Sequence, residues 1–268
     1  MKITHVCSRR RSLLLMGVFL FFCSCTQSAN VQQSNNLSPK GGESIRVGIS
    51  TNAPPLVYKT GGKLQGVEID FANQLGQYLG KKIKYVETNW DKLIPALEEG
   101  RIDIIMSGMT ITPKRSYRIA FAKPYLRSGQ ILLVRSDQSR KYSSGIYSIM
   151  GNRPPMGVIE NTTGDFFITK TINRPNLKRY KTSKSAVSAL IDGEIDVFVH
   201  DAPIVCYFAA MQEKNRVTPI LQMATEEYLA WAVNKTDTDL LSQINEFIER
   251  QQSNNELQAT IKRWIPYM

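Results

Sequence analysis

The chain has 268 residues, of which 42% are hydrophobic, and a formal net charge of +11 at pH 7. This length is sufficient for one large domain or two small ones, each with its own core. The lysines and arginines are scattered, without a basic run interleaved with aromatic residues, so the positive charge does not indicate nucleic-acid binding. Two histidines and four cysteines argue against a zinc site or a multi-histidine centre, and we expect neither a metal nor a cofactor.

Residues 1–24 are predicted to be a signal peptide. Three arginines, at positions 9 to 11, precede an apolar run from residue 13 to 22. That run is too short for a stable transmembrane helix but suits the core of an export signal. Ser24 stands directly before Cys25, as in the cleavage box of bacterial lipoproteins, so Cys25 is the expected lipidation site. Cys23, preceded by the bulky Phe22, is the weaker alternative.

Residues 25–43 are predicted to form a flexible tether. They are rich in Ser, Asn, Gln and Gly and carry almost no large apolar side chains, so burial cannot offset the entropy of ordering them. Beyond the tether only Cys206 remains, which excludes an intrachain disulfide. We therefore expect an exported protein, in the periplasm or on the cell surface, that contacts the membrane only through its N-terminal lipid.

From residue 45 onward the spacing of apolar residues, glycines and prolines predicts alternating strands and helices. In chain order we expect a strand at 45–49, a helix at 67–79, a strand at 82–87, a helix at 90–99 and a strand at 129–135 that leads to a second lobe. Further on we expect a strand at 156–159, a helix at 165–171, a helix at 202–211, a returning strand at 228–233, and closing helices at 239–250 and 255–264.

One pattern occurs twice. Residues 96–108 read Ala-Leu-Glu-Glu-Gly-Arg-Ile-Asp-Ile-Ile-Met-Ser-Gly, and residues 189–201 read Ala-Leu-Ile-Asp-Gly-Glu-Ile-Asp-Val-Phe-Val-His-Asp. Each copy is typical of a helix that ends at a glycine, followed by a buried parallel strand. Ligands of open α/β sheets bind beyond the carboxyl ends of the strands. The repeat therefore predicts two lobes that present Ser107-Gly108 and His200-Asp201 to a shared cleft.

The chain is expected to cross between these lobes twice. We assign residues 44–133 and 226–268 to a discontinuous first lobe, and residues 134–225 to the second. Two crossings make a hinge, about which the lobes can close.

Several ordered motifs now point to a known family. They are Gly66-Val67-Glu68-Ile69-Asp70, Trp90-Asp91-Lys92-Leu93-Ile94-Pro95-Ala96-Leu97, Gly108-Met109-Thr110-Ile111-Thr112-Pro113-Lys114-Arg115, Ala120-Phe121-Ala122-Lys123-Pro124-Tyr125 and His200-Asp201-Ala202-Pro203. Together they resemble the polar-amino-acid (family 3) type of extracellular solute-binding proteins that serve ABC importers, closest in motif to glutamine- and arginine-binding members.

The resemblance implies a two-lobed α/β periplasmic-binding-protein fold of type II, in which each lobe has a mostly parallel sheet flanked by helices. It also implies a function. The protein would be a monomer that performs no chemistry, captures a free polar amino acid (glutamine or arginine-like) between its lobes, and delivers it to an ABC permease in the inner membrane.

An amino-acid ligand explains the residue types in the cleft. Its carboxylate needs a planar cation, for which Arg115 is the candidate and Arg118 the rival. The segment Ser107-Gly108-Met109-Thr110 offers further N–H groups and a hydroxyl. The α-ammonium needs a carboxylate, and Asp201, at the end of the second repeat, is the candidate.

The resemblance supplies the other candidate contacts. Trp90 matches an aromatic position that covers the aliphatic part of the ligand. Thr162 and Thr163 match the contact loop of the second lobe, where the glycine at 164 suits a close backbone approach. Beside these matches, His200 is a candidate that could hydrogen-bond a side-chain amide.

Two departures from the family pattern bear on the choice of ligand. Ser50 and Ala53 stand where many relatives carry an acidic and an aromatic residue. Glu160 stands where glutamine-binding members have a lysine. We hypothesise that the Glu160 carboxylate favours a ligand with a cationic or amide side chain.

Two other functions remain open on the sequence. Dehydratases that act on prephenate- or arogenate-like substrates resemble these binding proteins, and Glu160 or His200 could serve such an enzyme as acid or base. A ligand-binding sensor or adhesin is the second alternative.

Overall fold

The computed structural model describes residues 43–211 and 216–266. The predicted signal peptide, Cys23, Cys25 and the tether up to residue 42 lie outside the described residues. Within the described ranges, none of the helices combines the length and the apolar character needed to cross a membrane.

The described residues form short strands and helices that alternate along the chain. The strands are β1 (Ser44–Ile49), β2 (Asn52–Ala53), β3 (Val57–Thr60), β4 (Lys63–Gln65), β5 (Lys82–Glu87), β6 (Ile104–Ile105), β7 (Ala120–Phe121), β8 (Leu126–Ser128), β9 (Gln130–Arg135), β10 (Met156–Ile159), β11 (Leu177–Tyr180), β12 (Val197–Asp201), β13 (Val217–Ile220), β14 (Glu227–Leu229) and β15 (Ala232–Val233). The α-helices are α1 (Val67–Leu79), α2 (Leu93–Glu98), α3 (Pro113–Arg118), α4 (Tyr147–Met150), α5 (Thr163–Thr171), α6 (Ser183–Ile191), α7 (Ala202–Met211), α8 (Thr238–Ser253) and α9 (Glu256–Trp264).

Two five-stranded sheets define the two lobes. The first has the strand order β5-β1-β6-β15-β7 and the second β11-β10-β12-β9-β13. In each sheet the first three strands are parallel, the fourth runs against them, and the fifth is antiparallel to the fourth. The mostly parallel, two-lobed α/β architecture expected from the sequence is therefore confirmed.

Local sequence determines where the elements begin and end. Helix α1 buries Val67, Phe71 and Leu75, and it ends at Gly80, whose φ of 64° is left-handed, as the apolar spacing predicted. The helix predicted at 90–99 instead begins as a 3₁₀ turn, Trp90–Lys92, before α2. Pro95 lies in the first turn of α2, where its missing N–H has no intrahelical partner to lose.

The connection between the lobes is a two-stranded antiparallel ribbon of β8 and β14. Gly129 follows β8, and a Cβ atom at this position would lie 2.1 Å from the carbonyl oxygen of Thr225. The close approach of the two crossing segments therefore requires a glycine. The single strand predicted at 228–233 is instead divided between this ribbon (β14) and the first sheet (β15).

The strand that follows the ribbon belongs wholly to the second sheet. β9 pairs with β12 and β13 from one end to the other, so the lobe boundary expected after residue 133 falls inside a strand. The apolar run from residue 131 to 134 is continuous, and periodicity alone gives no signal of where a chain leaves one sheet for the next.

Candidate functional site

A cleft lies where the carboxyl ends of strands from both sheets meet. From the first lobe it is lined by Ser50, Asn52, Ala53, Leu56, Trp90, Ser107, Gly108, Thr110 and Arg115. From the second lobe it is lined by Ile159, Thr162, Thr163, Lys181, Ser183, His200, Asp201 and Ile204. The two copies of the repeat thus bring their strand ends to one cleft, as the sequence predicted.

Three of the predicted site residues do not line this cleft. Met109 is buried in the apolar cluster around α2 and faces an outer groove instead. Gly164 lies in the first turn of α5, where a Cβ would come within 2.7 Å of Gln130 Oε1. Glu160 follows β10, and its backbone N–H donates to Tyr180 O at 3.0 Å. The structure therefore does not support direct contact of these residues with a ligand.

Arg115 is the cation of the first lobe. Thr112 caps α3 by accepting from the Arg115 N–H, and Nη1 of Arg115 donates to Thr110 O at 2.8 Å. The guanidinium lies 5.3 Å from the centre of the Trp90 ring, a favourable cation–π distance. Burial lowers the pKa of Arg115, and the nearby Asp201 and Glu227 carboxylates oppose that shift. The group is therefore a buried, oriented cation.

The rival, Arg118, is engaged elsewhere. Its guanidinium forms a two-point ion pair with Glu98 at the surface. Arg118 borders the outer groove rather than the cleft. Of the two arginines, only Arg115 is placed to face a ligand in the cleft.

Asp201 is the carboxylate of the second lobe, and it is buried together with a second carboxylate. Gln130 Nε2 donates to Asp201 Oδ1 at 2.5 Å and to Glu227 Oε1 at 3.0 Å. The pKa of Asp201 is raised to about 7, first by burial and then by the Glu227 carboxylate, while Gln130 and Arg115 oppose the shift. Glu227 lies on the crossing strand β14 and accepts from Thr110 Oγ1 at 3.0 Å. The site carboxylate is thus linked through Gln130 to the hinge.

His200 is uncharged near neutral pH, since burial lowers its pKa to about 4. Its Nδ1 accepts from the Asp201 N–H at 2.7 Å. A neutral imidazole that accepts at Nδ1 carries its proton at Nε2. His200 can therefore donate one hydrogen bond to an acceptor.

The strand end at Ser107-Gly108 is held by groups within the first lobe. Ser107 Oγ accepts from the Ser50 N–H at 2.9 Å, and the Gly108 N–H donates to Glu68 Oε1 at 2.6 Å. Tyr125 Oη and Trp231 Nε1 also donate to Glu68, at 2.7 and 2.8 Å. The expectation that the Gly108 N–H is available to a ligand is therefore wrong, because this buried carboxylate already accepts from it.

Sequence reasoning missed several residues of the site. Asn52, Leu56, Ile159, Lys181, Ser183 and Ile204 line the cleft, and Gln130 and Glu227 support Asp201 from behind. Lys181 directly follows β11 and Ser183 begins α6, so both lie at a strand-to-helix junction of the kind that marks ligand sites in α/β sheets. Apolar and polar residues alternate only weakly in β11, so the sequence did not predict a strand there. No sequence signal pairs Gln130 with Glu227.

Among the residues that the structure describes, no group of three or more His, Cys, Asp or Glu side chains is arranged to hold a metal ion. The polar groups are instead a buried cation in one lobe and a buried carboxylate in the other. This fold and this cleft define a two-lobed ligand-binding protein.

Comparison with known proteins identifies the family. The family model for bacterial extracellular solute-binding proteins, family 3, matches residues 45–267, and the chain belongs to that family. A probable histidine-binding protein of Neisseria gonorrhoeae is 29% identical over 198 residues, which cover 73% of this chain and 72% of the relative. The L-cystine-binding protein of Escherichia coli K12 is 25% identical over 271 residues, 99% of this chain and 98% of the relative.

A similar solved structure is that of an ancestral amino-acid-binding protein described as a precursor of cyclohexadienyl dehydratase. Its TM-score to this chain is 0.75 at 30% sequence identity, with 83% of this chain and 95% of the other covered. The sequence also resembles dehydratases, and this similar structure belongs to a protein that is described as an amino-acid-binding precursor of such an enzyme.

Proposed function

We propose that the protein is the substrate-binding component of an ABC importer and captures a polar amino acid between its lobes. The observation that carries this proposal is the placement of Arg115 and Asp201 on opposite sides of one cleft. The carboxylate of an α-amino acid fits the guanidinium, and its ammonium fits the aspartate. A ligand that bridges both lobes favours the closed form, which the membrane permease would recognise.

Contacts across the cleft support closure as the working motion. Trp90 Nε1, in the first lobe, donates to Asn161 O, in the second, at 3.1 Å. Lys114 Nζ lies 5.3 Å from the centre of the Phe166 ring, again from one lobe to the other. Both contacts exist only while the lobes are together, so they add to the stability of the closed form.

We infer that the cleft binds its ligand without transforming it. Of the two residues considered as acid or base for a dehydratase, Glu160 does not line the cleft and His200 is uncharged near neutral pH with Nδ1 already occupied. Incubation with prephenate or arogenate should therefore yield no product, and turnover would contradict the assignment.

The mature protein is further proposed to be a monomer anchored at Cys25. The basis is the lipoprotein-like sequence Ser24-Cys25 after an apolar signal core. Labelling with a radioactive fatty acid in the bacterium should mark the wild type and not Cys25→Ala. Light scattering should give the mass of one chain.

A thermal-shift and calorimetric screen of the purified full chain against the twenty common amino acids tests the main proposal. At least one polar amino acid should raise the unfolding midpoint, because a ligand that binds only the folded state stabilises it by mass action. Absence of any shift or heat with all twenty would contradict amino-acid capture.

A further inference from the structure

The charges that line the cleft do not balance once an amino acid is bound. Arg115 and Lys181 are the lining cations and Asp201 the lining carboxylate, while His200 is uncharged near neutral pH. On the proposed function, the zwitterionic part of a ligand uses Arg115 and Asp201. Glu227 lies behind Asp201 and does not line the cleft, and its carboxylate already accepts from Thr110, Gln130 and Thr225. Among the charges that line the cleft, that of Lys181 is therefore left for the side chain of the ligand.

Lys181 has no ionic partner within the described part of the chain. Glu160 is its neighbour in register, since Ile159 pairs with Tyr180 in the strands that precede them. Even so, no carboxylate of the described residues lies within the 4.0 Å ion-pair distance of its ammonium. The side chain is exposed, and it borders the cleft while Glu160 does not.

A second polar group beside Lys181 likewise has no hydrogen-bonding partner among the described residues. Ser183, the first residue of α6, is 1% exposed and lines the cleft. Its hydroxyl makes no hydrogen bond with the described residues. α6 begins here, capped by Thr182, and the free N–H groups of a helix N-terminus favour negative charge. A cation, a free hydroxyl and a helix start therefore meet at one end of the cleft.

This end is separate from the part that would bind the zwitterion. β11 and β12 lie on either side of β10, so the chain ends that carry Lys181 and Asp201 are about 10 Å apart. The four-carbon stem of a lysine lets its ammonium reach back over part of that distance. A ligand held by Asp201 would thus extend its side chain towards Lys181 and Ser183.

We propose that the Lys181 ammonium and the Ser183 hydroxyl form a distal subsite for a carboxylate, so that the ligand is an amino acid with a second carboxylate on its side chain. This inference rests on the proposed function. It replaces the hypothesis of a cationic or amide ligand, because the carboxylate of Glu160, on which that hypothesis depended, does not line the cleft.

The test compares ligands that match in shape but differ in charge. Dissociation constants are measured by calorimetry on the full chain for aspartate and asparagine, for glutamate and glutamine, for the longer 2-aminoadipate, and for arginine. The wild type should bind at least one of the dicarboxylic amino acids about tenfold or more tightly than its amide and than arginine. Lys181→Gln should reduce that ratio at least tenfold.

Lys184→Gln is the matched control. Lys184 is an exposed lysine of the same helix that does not line the cleft, so its removal changes the net charge equally but should leave the ratio unchanged. Lys181→Glu should invert the preference towards arginine. Unfolding midpoints of all variants show whether each one folds.

The outcomes separate this inference from the proposed function. Binding of no amino acid would overturn both. Tighter binding of amides, arginine or histidine than of every dicarboxylic amino acid would overturn the distal carboxylate subsite alone. So would an equal effect of Lys181→Gln and Lys184→Gln, because the lysine would then act only through the overall charge of the surface.

Discussion

Replacing Asp201 with asparagine should lower the affinity for the ligand and raise the stability of the ligand-free protein. The side chains are nearly the same size, so packing is preserved and Gln130 can still donate to the remaining carbonyl oxygen. The substitution removes the charge that would pair with the ligand ammonium in a buried site. Removal of one partner of a buried, hydrogen-bonded charge pair costs about 2–5 kcal/mol, which corresponds to an affinity loss of about 30-fold to a few thousand-fold.

The gain in stability has an electrostatic origin. The pKa of Asp201 is raised to about 7, by burial and then by Glu227, so the folded protein binds the proton of this group more tightly than the unfolded chain does. Asp201 therefore stabilises the fold at low pH, and this contribution is lost as the pH rises through about 7. At pH 8 the wild type buries an ionised Asp201, whereas the variant buries an uncharged asparagine. The variant should therefore have the higher free energy of unfolding at this pH.

Calorimetry gives the affinity of Asp201→Asn, and thermal unfolding without ligand at pH 8 gives its stability. A matched ligand without the amino group should bind wild type and variant equally. Equal loss of affinity for the amino acid and for its des-amino analogue would refute the pairing of Asp201 with the ammonium, as would unchanged affinity for both.

Three further predictions concern the two charges of the cleft and the crossing between the lobes. The ligand ammonium needs the ionised form of Asp201, whose pKa is about 7, so affinity should fall by up to about tenfold per pH unit below that value. Calorimetry in buffers of different ionisation enthalpy should show that binding at pH 6 releases a proton. An affinity that does not change with pH would contradict this prediction. Arg115→Lys keeps the charge but loses the planar donor pair, so affinity should fall about 10- to 100-fold, and wild-type affinity would contradict carboxylate binding. Gly129→Ala would place a Cβ 2.1 Å from Thr225 O and should destabilise the fold by about 1–3 kcal/mol; an unchanged midpoint of thermal unfolding would show that the crossing needs no glycine.

The fold could be predicted well because its signals are local. The apolar spacing and Gly80 gave α1 its observed limits, Val67–Leu79, and the helix-glycine-strand repeat placed two strand ends in one cleft. What failed was the position of the crossing. The boundary expected after residue 133 lies inside the apolar run of β9, whereas the chain crosses in the ribbon that precedes β9. The sheet to which a strand belongs depends on its distant pairing partners.

The site could be predicted only in part, for the same reason. Arg115 and Asp201 stand in recognisable motifs at element boundaries, and both line the cleft. Glu160 and Lys181 follow neighbouring strands, yet only Lys181 lines the cleft, and sequence does not show towards which side such residues turn. The link from Asp201 through Gln130 to the hinge joins residues 71 and 97 positions apart.

The most direct test of the account is a crystal structure of the protein with the ligand found by calorimetry. The account predicts the α-carboxylate of the ligand about 2.7–2.9 Å from the Arg115 guanidinium and the α-ammonium at a similar distance from the Asp201 carboxylate. A ligand in the outer groove beside Met109 and Phe166, or one in the cleft that touches neither charge, would contradict it.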